Sequence, residues 1–192
     1  QFIQADVASQ RGLIQALGAR GKIVVVQSGN LEHPAVQALL REHLSTMEHT
    51  APPESRHALD LSGLTGPDIS FWSIWDGAAV AGIGALKRLT DSHAEIKSMR
   101  TAASHLRRGV ASRMLQHLIN AATTSGYSRL SLETGSMEFF EPARRLYRSF
   151  GFVECPPFGD YKPDPNSVFM TLAISGLAPN NSFKPTPLRG AA

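Results

Sequence analysis

His105-Leu106-Arg107-Arg108-Gly109-Val110-Ala111 is the stretch that decides how this chain is read. It sets two arginines against a glycine and runs straight into an apolar stripe. Val110, Met114, Leu115, Leu118, Ile119 and Ala122 recur at helical period, and Gly126 stands where a C′ glycine would close the helix. A glycine in a basic turn lets the backbone come close to a ligand, and the free amides at a helix start attract a diphosphate. Upstream, Ala94-Glu95-Ile96-Lys97-Ser98-Met99 alternates as a strand with one wet face does. Strand, basic glycine turn and helix is the order of a phosphate cradle. It is also the order of a purely steric turn, and on this stretch alone the steric reading is the stronger.

The second half of the chain changes the balance. Arg129–Glu133 reads as a short strand, and Pro142, Ala143, Leu146, Tyr147 and Phe150 as a helix with a proline near its start. Gly151 ends that helix, and Phe152-Val153 resumes extended chain. With both halves in view, the chain resembles the GNAT superfamily of acetyl-CoA-dependent N-acetyltransferases. The family's cofactor motif, Gln/Arg-x-x-Gly-x-Gly/Ala, falls on Leu106 through Ala111. Its later motif, Ala-x-x-Leu-Tyr-x-x-x-Gly-Phe, falls on Ala143, Leu146, Tyr147, Gly151 and Phe152. The resemblance runs from about Lys22 to Ile174. Leu106 replaces the usual Gln or Arg, leaving Arg107 and Arg108 to supply charge, and Phe140 stands where many members carry an Asn against the cofactor arm. Glu95–Arg100, Leu132–Gly135 and the ending from Pro157 to Met170 are similar to a bacterial subgroup that carries only a generic acetyltransferase description.

The resemblance implies an α/β (α+β) chain with the GNAT fold, a mixed, mostly antiparallel twisted sheet flanked by helices. The residues support that order independently. Ile23–Val26 reads as a first strand, and Pro34 opens a helix with Val36, Leu39, Leu40, Leu44 and Met47 on one face. Pro52-Pro53 breaks it, and Glu54–Leu61 reads as a short second helix. Ile69–Trp75, Val80–Leu89 and His93–Thr101 then form three successive strands, joined by Asp76-Gly77 and Thr90-Asp91.

The family's chemistry assigns roles. Backbone groups of Met99, Arg100 and Thr101 would hold the acetyl and pantetheine portions of acetyl-CoA, and the amides of Arg107, Arg108, Gly109, Val110 and Ala111 its diphosphate, aided by the helix dipole. Tyr147 matches the usual general acid, which returns a proton to the leaving thiolate; the alternative is a packing residue on its helix stripe. Glu95 is the leading base. Strand alternation puts Glu95, Lys97 and Met99 on one face, two side chains from the acetyl-binding backbone. An exposed Glu95 paired with Lys97 or solvent is the competing reading, and Glu133 is the second candidate. By family position, the acceptor would be contacted by Pro52, Pro53, Glu54 and His57, with Trp72, Phe158 and Tyr161 as walls. Three functions stay open: acetylation of a primary amine of a small molecule by direct attack, modification of an antibiotic, and an inert acyl-CoA-binding regulatory module.

Composition narrows the class. The 192 residues, 42% hydrophobic, suffice for one core and not for two ordinary domains. No apolar stretch approaches the roughly 20 residues that cross a bilayer, so no membrane partner is expected. Cys155 is the single cysteine, which fits a reducing cytoplasm. The net charge of +3 comes without long Lys/Arg runs, so nucleic acid is not expected as a partner; a homodimer is left open. The seven histidines show no metal-ligand spacing, so no metal is expected either. Both ends carry another signal. Back-translated with suitable codons, Gln1–Asp6 read one base out of frame encodes the residues found at Asn181–Thr186, and the correspondence extends to a stop. That resembles a recombination site flanking an integron gene cassette. The expected division is therefore 1–21 disordered read-through, 22–176 acetyltransferase domain, and 177–192 disordered tail.

Overall fold

The structure, a computed structural model, describes residues 24–50 and 60–174. Glu54, His57 and most of the helix expected over Glu54–Leu61 lie outside the described residues, as do the terminal segments 1–21 and 177–192. β-branched and aromatic runs bounded by turn residues become strands. These are β1 (Val24–Ser28), β2 (Ile69–Asp76), β3 (Ala79–Thr90), β4 (His93–Thr101), β5 (Arg129–Gly135), β6 (Val153–Glu154) and β7 (Ser167–Ala173). Apolar stripes of period 3.6 become α1 (Pro34–Thr50), α2 (Val110–Thr124) and α3 (Glu141–Ser149).

The seven strands form one sheet in the order β1-β2-β3-β4-β5-β7-β6. Among the described strands only the β4–β5 pair is parallel, and α2 makes the crossover between them. This is the expected α+β arrangement, a mixed, mostly antiparallel sheet flanked by helices. One face packs α1 residues Val36, Leu39 and Leu40 against Phe71, Trp75, Ile83 and Ala85. The other face holds a larger core of Ile74, Leu86, Ile96, Leu130, Leu132 and Met170 beneath α2, with Tyr147 of α3 and Phe152. All six stripe residues of α2 are buried in it.

Two glycines bring α2 down onto the sheet. A Cβ on Gly82 would lie 2.9 Å from the Val110 side chain and 3.1 Å from the Arg100 carbonyl oxygen. On Gly84 it would lie 2.9 Å from Met114. The first turn of α2 is thus seated directly over β3 beside the end of β4.

The register of β4 changes at the same level. Ile83 pairs with Arg100 and Ala85 with Lys97, so Ser98 and Met99 together oppose Gly84. Ser98 adopts φ 51°, and this bulge interrupts the alternation of the strand. Glu95 and Lys97 keep to the α1 face, but Met99 packs against the core under α2. The expectation that Glu95, Lys97 and Met99 share one face is therefore corrected at Met99, because the extra residue reverses the side chain that follows.

Gly82→Val inserts branched volume between the Val110 side chain of α2 and the β4 backbone at Arg100. It should destabilise the fold by about 1–3 kcal/mol in urea unfolding; an unchanged midpoint would show that α2 has room to lift from β3.

Candidate active site

β4 and β5 begin as partners and then part. Their parallel ladder runs from His93↔Arg129 to Ile96↔Leu132, whereas the strands continue to Thr101 and Gly135. Beyond Ile96 the edge of β4 therefore faces a cleft in place of a neighbouring strand. Ser98, Met99, Glu133, Gly135, Phe140 and Tyr147 line it, with His43 and Met47 approaching from α1. Phe140 takes up the space beside Gly135, where an added Cβ would collide with its ring.

The turn before α2 lies beyond the end of β4. Arg107 and Gly109 have left-handed backbone, at φ 57° and 79°, as in anion-binding concavities. Gly109 is the N-cap, so no side chain caps the helix, and its first turn holds no acidic residue. A Cβ on Gly109 would meet nothing within 4 Å, which leaves open space over the turn. The turn itself is anchored from behind. Asp76 lies 3.3 Å from His105 Nε2 and 3.8 Å from Arg108 Nη2. Free amides and local positive charge suit a diphosphate, and within the cleft the buried Ser98 hydroxyl has no protein partner. These residues fit an extended acyl-CoA.

Tyr147 lines the cleft from α3 and is 7% exposed. Burial, and then the nearby Glu133 carboxylate, push its phenol well above the usual tyrosine range, so it keeps its proton. Glu133 accepts a 2.7 Å hydrogen bond from Ser167. The opening end of β5 is held by Arg144, a buried residue that the sequence reading did not single out. It pairs with Glu141 and donates to the carbonyls of Gly135 and Met137.

On the α1 face, Glu95 is only 2% exposed and Lys97 8%. The Lys97 ammonium lies 3.2 Å from Glu95 Oε1 and donates to the Tyr161 hydroxyl at 2.7 Å. That hydroxyl in turn donates to the same Glu95 oxygen at 2.5 Å. Burial, then the Glu95 carboxylate, hold the Tyr161 phenol protonated. This triangle forms part of the wall of a second cavity of about 860 Å³, closed on one side by the loop from Phe158 to Asn166. Lys97 and Asn166 line both spaces, so cleft and cavity meet there.

Some expected contacts lie elsewhere. Trp72 packs against the core with its ring 5.2 Å from His117, away from the residues lining both spaces. The Arg100 side chain binds Glu42 at 2.8 Å and Thr46 at 3.2 Å, tying α1 to β4. His43 joins the cleft although no motif marks it, since a lone histidine on an amphipathic helix carries no sequence signal. Its Nδ1 is buried without a partner. Burial first, then the Arg100 charge, lower its pKa to about 4, with Glu42 opposing. Among the described residues there is no three-residue His/Cys/Asp/Glu group that could hold a metal, and no helix long and apolar enough to cross a membrane.

The His43 shift has a definite sign. Its native pKa is below the ordinary 6.5, so the unfolded chain binds the proton more readily. The contribution is complete above pH 6.5 and is lost as pH falls toward 4. Urea unfolding at pH 7.5 and pH 5 should show a smaller acid loss in His43→Gln than in the parent; equal losses would contradict it.

Comparison with known proteins extends this geometry. Residues 36–152 match the family model for the acetyltransferase (GNAT) family. The chain is 63% identical over 139 residues to the uncharacterized N-acetyltransferase YsnE of Bacillus subtilis (strain 168), covering 72% of this chain and 92% of that protein. It is 50% identical over 149 residues to the uncharacterized N-acetyltransferase YedL of Escherichia coli (strain K12), covering 78% and 94%. Among solved structures, a GNAT family acetyltransferase from Elizabethkingia anophelis with acetyl-CoA bound aligns with TM-score 0.57 at 16% identity, covering 78% of this chain and 97% of that one.

Proposed function

The chain belongs to the acetyltransferase (GNAT) family, and on that premise we propose that it transfers an acetyl group from acetyl-CoA to a primary amine of a small molecule by direct attack. The observation that carries this reading is the junction at Lys97 and Asn166, where the β4–β5 cleft meets a separate cavity. Donor and acceptor then approach from different sides with no exchange of place.

When bound, acetyl-CoA supplies an activated thioester. The amides of Arg107, Arg108, Gly109, Val110 and Ala111 hold its diphosphate, and the two arginines add charge that Leu106 cannot. The backbone of Met99, Arg100 and Thr101, unpaired by β5, holds the acetyl and pantetheine portions. Tyr147 protonates the leaving thiolate. Its raised pKa keeps the proton available at neutral pH and makes the phenol a weak acid until negative charge develops beside it. Glu95 receives the proton of the acceptor amine directly or through water. Its contacts with Lys97 and Tyr161 both fall on Oε1, which leaves Oε2 toward the amine. Glu133, across the cleft, is the second candidate for that role. Glu54 and His57 are proposed to contact the acceptor from the segment after α1. The single cysteine, which can form no internal disulfide, supports a cytoplasmic location.

Tyr147→Phe should lower the acetylation rate by roughly 10²-fold, measured as thiol release with an acceptor amine, while acetyl-CoA still raises the melting temperature. Parental turnover would make Tyr147 a packing residue. Gly109→Glu should abolish the acetyl-CoA-induced melting shift by adding a negative side chain at the turn; an intact shift would move the diphosphate site elsewhere.

A further inference from the structure

On the reading that the larger cavity receives the amine, we infer that the acceptor is an amino-acid-like monoamine, with a carboxylate beside its amine and an apolar or aromatic body. The charges on the cavity wall carry this. Its described ionised residues are Lys87, Lys97 and Lys162 against Glu95, Asp160 and Asp164. They are not equally available to a ligand. Lys97 and Glu95 are buried against each other and against Tyr161. Asp164 is drawn into its own loop, where Oδ1 accepts the Asn166 amide at 2.8 Å. Asp160 is exposed on the turn at Gly159. Lys87 and Lys162 make no ion pair among the described residues.

Lys87 is the better placed of the two. It is the cross-strand partner of Glu95, and both line the cavity. Directly opposed residues of an antiparallel pair project from the same face with Cβ atoms about 4.5–5.5 Å apart. An amine given up to Glu95 and a carboxylate held by Lys87 are therefore separated by a short span, such as the single carbon of an α-amino acid. The ammonium would meet the carboxylate in a charge-assisted hydrogen bond, while a second ammonium on the ligand would meet like charge. The wall continues in aromatic rings: Phe158 lies 5.2 Å from Tyr161 and 5.6 Å from His93. Those rings accept an apolar side chain. A polycationic drug or polyamine would need several uncommitted carboxylates, whereas Asp164 is held in its own loop and Glu95, with Oε1 taken by Lys97 and Tyr161, has Oε2 for a single amine.

The test uses the full chain, acetyl-CoA and matched acceptors that differ by one carboxylate, with free thiol as readout: phenylalanine against phenethylamine, leucine against 3-methylbutylamine, and spermidine as a polycation. The amino acids should exceed their matched amines in kcat/KM by about tenfold or more, the scale of one charged hydrogen bond. In Lys87→Met the amino-acid KM should rise and that ratio fall toward one, and Lys87→Arg should restore part of it. If the carboxylate-free amines or spermidine are acetylated as well as or better than the amino acids, the inference is overturned while acetylation of a small amine stands. A ratio unchanged in Lys87→Met also overturns it. If no acceptor in either class releases thiol above the acceptor-free blank, this inference and the small-molecule reading both fall.

Discussion

Everything in this site depends on the point where β4 stops pairing with β5. The ladder ends at Ile96↔Leu132, and within two residues the bulge at Ser98-Met99 bends β4. A strand edge in a sheet interior ordinarily satisfies its amides and carbonyls through its neighbour. Here that edge borders a cleft, and Ser98 brings a buried hydroxyl without a partner into it. Such unsatisfied groups are costly in a closed core but serve as contacts once an extended ligand lies between the strands. The rest of the architecture holds the opening in place. Gly82 and Gly84 seat α2 against β3, Arg144 ties down the end of β5, and Arg100 links α1 to β4.

The buried triangle of Glu95, Lys97 and Tyr161 sets the character of the larger cavity. Removing a carboxylate and an ammonium from water is unfavourable unless both are paired and further hydrogen-bonded. Tyr161 provides that third contact, accepting from Lys97 and donating to Glu95. The group fixes the carboxylate in the cavity wall beside Lys97, the residue that reaches the cleft, and Lys87 stands opposite Glu95 across the strands.

The framework was largely legible because it rests on local chemistry. The stripe from Val110 to Ala122 appears in the structure as the buried face of α2, and Gly109, Gly126 and Gly151 adopt the positive φ their turn positions imply. Glu95 and Tyr147, picked out through the family resemblance, line the larger cavity and the cleft respectively. What the sequence could not reveal depends on distant partners. The reversal at Met99 follows from one extra residue opposing Gly84, which alternation alone does not encode. His43 and Arg144 acquire meaning only when α1 and α3 dock beside the cleft, and Trp72 looked like a wall residue until α2 covered it. The pairing of Lys87 with Glu95 likewise needs the strand register, which neither residue's neighbours specify.

The central claim is that the unpaired stretch of β4 and the turn before α2 form one binding surface for acetyl-CoA. Amide hydrogen exchange with and without acetyl-CoA tests it directly. Binding should slow exchange together at residues 98–101 and 107–112, with β1 and β2 little changed. Protection confined to the loop from Phe158 to Asn166, with residues 98–112 exchanging as before, would contradict it.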